Sequence, residues 1–236
     1  SKWELKGKNL TNAKFEKANL TGLDLSSTTL INADFKEANL SDVNLTYAKI
    51  LGADFSNNTS FTSAQLYSTN SYKMGDLTGV KFCGTDIHGW DFSGKKLLDV
   101  DITDAIVYSA NFENTVSKGF TKEQLYSTAS YKNKDLLGIS LGKNDLTGWI
   151  FTGQNLKQAS FRKSNLSSAD FSNANVSNAS FAEANLTGAS FSDTDAYGAT
   201  FSDSNLTNVS FKGTSLIKAN FTRANLTNAI LGGRLD

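Results

Sequence analysis

The sequence has no proline, and it has one histidine (His88), one cysteine (Cys83) and one methionine (Met74) in 236 residues. Each shortage excludes something. A single cysteine leaves no internal disulfide framework. One histidine and one cysteine are too few to assemble a thiolate–imidazole zinc site. Lys plus Arg number 23 and Asp plus Glu number 23, for a formal net charge of zero. That removes the basic footprint of a nucleic-acid binder and the polybasic patch of a membrane-surface protein. The apolar runs fall far short of the roughly 20 residues of a membrane span. No phosphate loop or dinucleotide glycine fingerprint is present, and no signal-peptide pattern opens the chain, which starts at Ser1 rather than Met. Apolar residues make up 39%, below the roughly 45–50% of globular domains. A low share usually goes with disorder, but here the apolar residues are strictly spaced.

Large apolar residues recur every five positions. They run from Leu5 through Leu10, Phe15 and Leu20 to Phe55, resume from Leu77 to Phe112, and resume again from Leu136 to Leu231. A helix wants spacings of three and four, and a half-buried strand wants two. In the last block only Ala196 is undersized. It marks a soft spot, either a small void or a gap filled by Tyr197. Two residues before each centre a small residue recurs, as in Ala179, Ala184 and Ala189. Asn or Asp commonly precedes the centre, and Ser or Thr follows it. The consensus is A-(N/D)-(L/F)-(S/T)-x.

This pattern resembles the pentapeptide-repeat family over nearly the whole chain outside two inserts. The resemblance implies an all-β fold, a right-handed quadrilateral parallel β-helix in which four pentapeptides make one coil. The centre and the residue two before it would point inward and the others outward. A single domain is expected, with repeats over 1–56, 77–113 and 136–232 and inserts at 57–76 and 114–135. About ten coils at about 4.8 Å each would give a rod about 45–50 Å long.

A four-sided coil predicts stacking every twenty residues. Phe161, Phe181, Phe201 and Phe221 would form one column, and Phe151, Phe171, Phe191 and Phe211 another on the opposite wall. Leucines of complementary size would fill the walls between. Asn165, Asn185, Asn205 and Asn225 would form an outward amide ladder.

The inserts match each other at an offset of 59: FTSAQLYSTNSYKMGDL from Phe61 and FTKEQLYSTASYKNKDL from Phe120. Thr62 with Gln65, and Thr121 with Gln124, fit a capping box. Each predicts a short helix, anchored by Leu66 or Leu125. Trp90 and Trp149 stand where the repeat has a small inward residue, and Gly89 and Gly148 before them are expected to relieve crowding. Structural packing accounts for the aromatic residues of the inserts. The alternative makes Tyr67, Tyr72, Tyr126 and Tyr131 a recognition surface, since binding often sits on loops over a rigid scaffold.

Little of this suggests catalysis, and no catalytic residue, cofactor or metal site is expected. Cys83 and His88 each follow a centre by one and should face outward on adjacent walls. The column Lys143, Lys163, Glu183, Asp203, Arg223 mixes signs. Residues 164–211 lack Lys and Arg but hold Asp170, Glu183, Asp193, Asp195 and Asp203, a local acidic belt and a second candidate surface. Some members of the resembled family imitate B-DNA and occupy the DNA groove of type II topoisomerases. B-DNA carries one negative charge per roughly 1.7 Å, so a rod of this length would need about 25–30 negative charges. The net charge of zero argues against that reading. The expectation is therefore a non-enzymatic scaffold or binding module with a protein partner, without direct nucleic-acid binding. Regulation of a topoisomerase by DNA mimicry is the alternative, and carbohydrate or surface adhesion through exposed Tyr and Trp is a third reading. A soluble protein is expected, cytoplasmic or exported after processing. Trp3 is expected to fold over the first coil, with end-to-end self-association where the far end lacks a cap.

Overall fold

The structure is a computed structural model and describes residues 4–234. Its unit is a five-residue step built by local hydrogen bonds. The amide of the small residue three after a centre donates to the carbonyl of that centre, as from Ala184 to Phe181 (3.1 Å) and from Ala189 to Leu186 (2.9 Å). The residue two after the centre turns the chain in the left-handed region, with Glu183 at φ 60° and Gly188 at φ 69°. Most of these positions are not glycine, and Asn, Asp, Ser, Lys and Glu recur there.

The consensus follows from this step. The Asn or Asp before a centre accepts the amide two residues on, as Asn185 Oδ1 does from Thr187 N (3.2 Å). The hydroxyl after the centre donates to the same oxygen, with Thr187 Oγ1 2.7 Å from it. Asx side chains favour this local closure, and a following Ser or Thr completes it.

Successive turns of chain stack in parallel at a spacing of twenty. Asn165 bridges Asn185, Asn185 bridges Asn205, and Ser160 bridges Ser180. A left-handed turn every five residues leaves room for little extended chain. The walls are therefore mostly single-residue bridges rather than long strands. Among the described residues the extended exceptions are β1 (Ser210–Ser215) and β2 (Ile230–Arg234), paired in parallel with Ser210 opposite Ile230. The expected β-helix is met in its pairing, and strand content is low because the turns consume the chain.

Contacts divide the chain into two compact units. One holds residues 1–90, 94–106 and 118–129; the other holds 91–93, 107–117 and 130–236. In the second unit the two phenylalanine columns form the core. Phe161, Phe181 and Phe201 stack at 5.1 and 5.0 Å, as do Phe151, Phe171 and Phe191 at 5.0 and 4.8 Å. The columns meet edge to face, Phe181 against Phe191 at 5.3 Å and 86°. Burying each ring stabilises the unit by about 2–3 kcal/mol, and each favourable ring pair adds about 1 kcal/mol. In the first unit Phe15, Phe35 and Phe55 stack at 5.1 and 5.2 Å.

Two expectations about this core need correction. Tyr197 does not fill the space beside Ala196: it is exposed, under the Lys218 ammonium. Ala196 is itself fully buried. Gly89 and Gly148 do not relieve crowding, since a Cβ on either would meet open space. They occupy the left-handed turn position (both φ 67°) that other steps fill with Asn or Lys. Trp90 and Trp149 are buried as expected, with Trp90 edge-on to Phe61 and Phe82.

Candidate interaction surfaces

The first insert begins with helix α1 (Ser63–Ser68), and α2 (Asn70–Lys73) follows. The second carries a 3₁₀ turn (Val116–Lys118), α3 (Lys122–Ser127) and α4 (Ala129–Lys132). Both capping boxes form, with Thr62 and Gln65 reciprocal in α1 and Thr121 and Gln124 in α3. Leu66 and Leu125 are fully buried beneath them. The sequence pattern did not predict α2 and α4. Thr69, the cap of α2, had a visible signal, a Thr three residues before Tyr72 whose amide it accepts.

The capping glutamines also clamp the helices to the wall. Gln65 Nε2 donates to the carbonyls of Leu40 (2.7 Å) and Val43 (3.1 Å). Gln124 Nε2 donates to those of Leu97 (3.1 Å) and Val100 (2.6 Å). The inserts are 59 positions apart, but their docking sites are 57 apart. Leu97 lies on the wall of Ile50 and Leu77, because the amides of Gly52 and Gly79 reach the carbonyls of Thr78 and Leu98. Ile50 is ten residues, half a turn of chain, from Leu40. Within the first unit α1 and α3 thus sit on opposite walls.

That separates the candidate tyrosines. Tyr67 and Tyr72 are half-buried, with rings 4.6 Å apart, and Lys95 sits 4.1 Å over the Tyr72 ring. Tyr126 is half-buried on α3. Tyr131 is half-buried, and its hydroxyl donates to the Ile150 carbonyl (2.8 Å). The pair on the first insert and Tyr126 on α3 belong to opposite walls, so the four do not make a single surface.

The acidic belt is dispersed as well. Glu183 and Asp203 share a column, and Asp193 lies ten residues from each, half a turn away. Both column residues are ion-paired from just outside the belt. Glu183 takes Arg162 (2.6 Å) and Lys163 (3.3 Å), and Asp203 takes Arg223 through both oxygens (2.6 and 2.7 Å). The Arg162 hydrogen bond chiefly holds Glu183 below the usual carboxylate range, and Arg223 does so for Asp203. Asp170 is half-buried. Burial pushes its carboxyl up, but the Ser172 side chain and amide and the Thr152 hydroxyl outweigh this and hold it low. Asp195 accepts Ser177 (3.0 Å), Asn175 (3.3 Å) and the Tyr197 amide (3.1 Å). Asp193 turns the chain at φ 57°, its carboxylate lying over Gly213. Four of the five carboxylates thus have local structural duties. A sequence window misses this, because the compensating cations stand one turn of chain away.

The amide ladder forms as expected. Asn185, Asn205 and Asn225 each donate to the Asn below (3.2, 3.5 and 3.4 Å) and to a hydroxyl beside it. Cys83 is half-buried. Burial, with the Asp101 contact, pushes its thiol up to about 11, which makes it a poor nucleophile. His88 is exposed, its Nδ1 2.8 Å from Asp86. Among the described residues no group of three or more His, Cys, Asp or Glu is placed to hold a metal ion. No described helix is long and apolar enough to cross a membrane. Trp3, Leu235 and Asp236 lie outside the described residues.

The pattern reading missed two open grooves, one beside each leading helix. The first is lined by Ser41, Asp42, Val43, Ser60, Thr62 and Gln65. The second is lined by the matching Leu98, Asp99, Val100, Gly119, Thr121 and Gln124.

With the step, the stacking and the inserts in place, comparison with known proteins is direct. A family profile described as pentapeptide repeats (8 copies) matches residues 4–30, 24–57 and 38–70. One described as a pentapeptide repeat region matches 126–201 and 170–234. The chain belongs to the pentapeptide-repeat family. Compared with curated proteins, its sequence matches none. Solved structures similar to this pentapeptide-repeat protein include one from the Arabidopsis thaliana thylakoid lumen (34% identity, TM-score 0.30). That match covers 39% of this chain and 59% of the plant protein, less than two thirds of its length. HetL, involved in heterocyst differentiation regulation in Nostoc sp. strain PCC 7120, is 22% identical (96% of this chain, 89% of that one, TM-score 0.31). QnrB1, a plasmid-mediated fluoroquinolone resistance protein, is 16% identical (100% and 87%, TM-score 0.24).

Proposed function

We propose that this pentapeptide-repeat protein is a non-enzymatic scaffold, a right-handed quadrilateral coil that binds another protein through its insert-bearing walls. One observation carries the reading. The same helix, with the same cap, anchor and glutamine clamp, is built twice on opposite walls of one unit, and each copy leaves a polar groove beside it. Fold alone does not give function, so the reading rests on these surfaces. The mostly half-buried ladder and the turn residues offer hydrogen bonds but no convergent reaction centre of the kind catalysis needs.

Charge weighs against DNA mimicry. Glu183 and Asp203, the stacked carboxylates of the belt, are already neutralised by Arg162, Lys163 and Arg223. Purified protein is expected to leave gyrase supercoiling unaffected at micromolar concentration, and potent inhibition would reverse the ranking. The scaffold reading is tested by capture from a lysate of the native host. The intact chain is compared with one whose residues 57–76 and 114–135 are replaced by plain pentapeptides. A partner retained by the intact chain and lost by the other supports it. Equal capture by both, or none by either, sinks it.

A further inference from the structure

Where an insert displaces a coil, the ladder of amides along the wall opens. Most amides at centre and turn positions of the coil below the first insert are bonded onward. Glu37 donates to the Ser56 carbonyl, Tyr47 to Ser68 and Gly52 to Thr78. Leu40 donates to the Ser60 hydroxyl. Between them, the amides of Asp42 and Leu45 find no acceptor among the described residues. The pattern repeats 57 positions on. Leu97 donates to Lys118 and Asp104 to Ser127, and the amides of Asp99 and Ile102 between them find none. The two grooves run along these gaps.

Unmet backbone donors are uncommon in a folded chain, and here the same gap is built twice at matched positions. The carboxylates beside the gaps are also open. Asp42 and Asp99 are exposed and make no hydrogen bond or ion pair among the described residues. Elsewhere in the same unit Asp34, Asp54 and Asp76 are paired with Lys14, Lys81 and Lys96. Each groove therefore offers backbone donors that want carbonyl oxygens, and a carboxylate that wants a cation.

We propose that each groove seats a short extended segment of a partner protein. Its backbone carbonyls accept from the open amides, and a lysine or arginine reaches Asp42 or Asp99. An extended segment is the fitting occupant because its carbonyls are free, whereas those of a helix are already used. The proposal rests on the scaffold reading and specifies which chemistry the partner brings.

The probe is a fluorescein-labelled Lys-Val-Lys-Val-Lys-Val peptide, with its Glu-Val counterpart as control, followed by fluorescence anisotropy on the full chain. The lysine peptide should bind, the glutamate peptide should not, and backbone exchange at Asp42 and Asp99 should slow in the complex. In the double variant Asp42→Asn/Asp99→Asn affinity should fall about threefold, the scale of an exposed ion pair. Asn tolerates the left-handed turn (φ 57° and 56°), so the fold should persist, as circular dichroism would verify. No binding of the lysine peptide, equal binding of the glutamate peptide, or no change in the double variant would each overturn the proposal. The two readings fail separately. A host partner captured equally by wild type and double variant leaves the scaffold and removes the grooves, and absence of any partner removes the scaffold.

Discussion

The two inserts have the same helices and leave the wall by different routes. From Phe55 the first reaches Phe61 through five residues; from Phe112 the second needs seven to reach Phe120. In the first, the buried Asn58 mends the corner from within. Its amide group donates to the carbonyls of Phe35 (3.1 Å) and Ala38 (2.9 Å), and its oxygen accepts the amides of Ser60 and Phe61. In the second, the extra residues form the 3₁₀ turn, and the mending amide comes from the coil that follows. Asn144 donates to Phe112 (2.8 Å) and Leu141 (3.1 Å) and accepts from Thr115 and Val116. The helix and its seat are copied closely, while the break in the wall is solved anew each time. What a broken coil requires is a buried amide with two donors and two acceptances, and its place in the chain is free.

The largest effects should come from removing that amide. Asn58→Ala strips five side-chain hydrogen bonds from a buried corner and Asn144→Ala four, and each should destabilise by about 3–4 kcal/mol, read from urea unfolding. A cheap loss at either position would mean that water takes over there, and the two corners would no longer be equivalent. Next comes the aligned pair Ser60 and Gly119. The Ser60 hydroxyl accepts the Leu40 amide (2.7 Å), whereas at the second corner the Lys118 carbonyl accepts the Leu97 amide (2.9 Å) and Gly119 carries no side chain. Gly119 has φ 99°, and a Cβ there would lie 2.8 Å from the Leu98 backbone. Gly119→Ala should cost about 2 kcal/mol. Ser60→Ala should cost about 1 kcal/mol, through the orphaned Leu40 amide. Near-equal values would erase the difference between the corners.

The helices were legible and the corners were not. Thr62 and Gln65 announce a helix because a cap is local, closed within four residues. The period of five likewise fixes which side chains face inward, since Phe181 and Phe191 each repeat one step. Asn58 and Asn144 look like ordinary Asn in an Asn-rich chain, and the partners that tie them to other coils lie 20 to 32 residues away. The same distance hid the pairing of Glu183 with Arg162 and the opposite seating of α1 and α3. The grooves left no mark in the pattern, because they arise where the pattern stops.

The clamps give a smaller and symmetric effect. Gln65→Ala and Gln124→Ala each remove a capping partner and two wall contacts, all partly exposed, and should cost about 1–2 kcal/mol apiece. Thermal unfolding of both variants would test whether the copied clamp is worth the same on opposite walls. A difference greater than about 1 kcal/mol would show that the second insert leans on its longer corner instead.

The smallest effect lies where the inserts rejoin the repeats. Asp76 closes the first insert and Asp135 the second, each accepting an amide two residues on. After Asp76 comes Thr78, whose hydroxyl donates to the same carboxylate (2.6 Å), and Lys96 stands 3.6 Å away. After Asp135 comes Leu137, which has no hydroxyl to give. Burial pushes the Asp76 carboxyl up, but the Thr78 side chain and amide and the Lys96 ammonium outweigh this and hold it below its ordinary value. A depressed carboxylate stabilises the fold above its unfolded pKa of about 3.9. That contribution is lost as pH falls through the lower folded value. Thr78→Val removes one donor, so the Asp76 pKa should rise toward the unfolded value and the acid limb of stability should flatten. NMR titration of the Asp76 carboxyl in both proteins reads the shift directly. An unchanged pKa would mean that Lys96 and the amide suffice, and the first rejoining point would then differ from the second in charge pairing rather than in its hydroxyl.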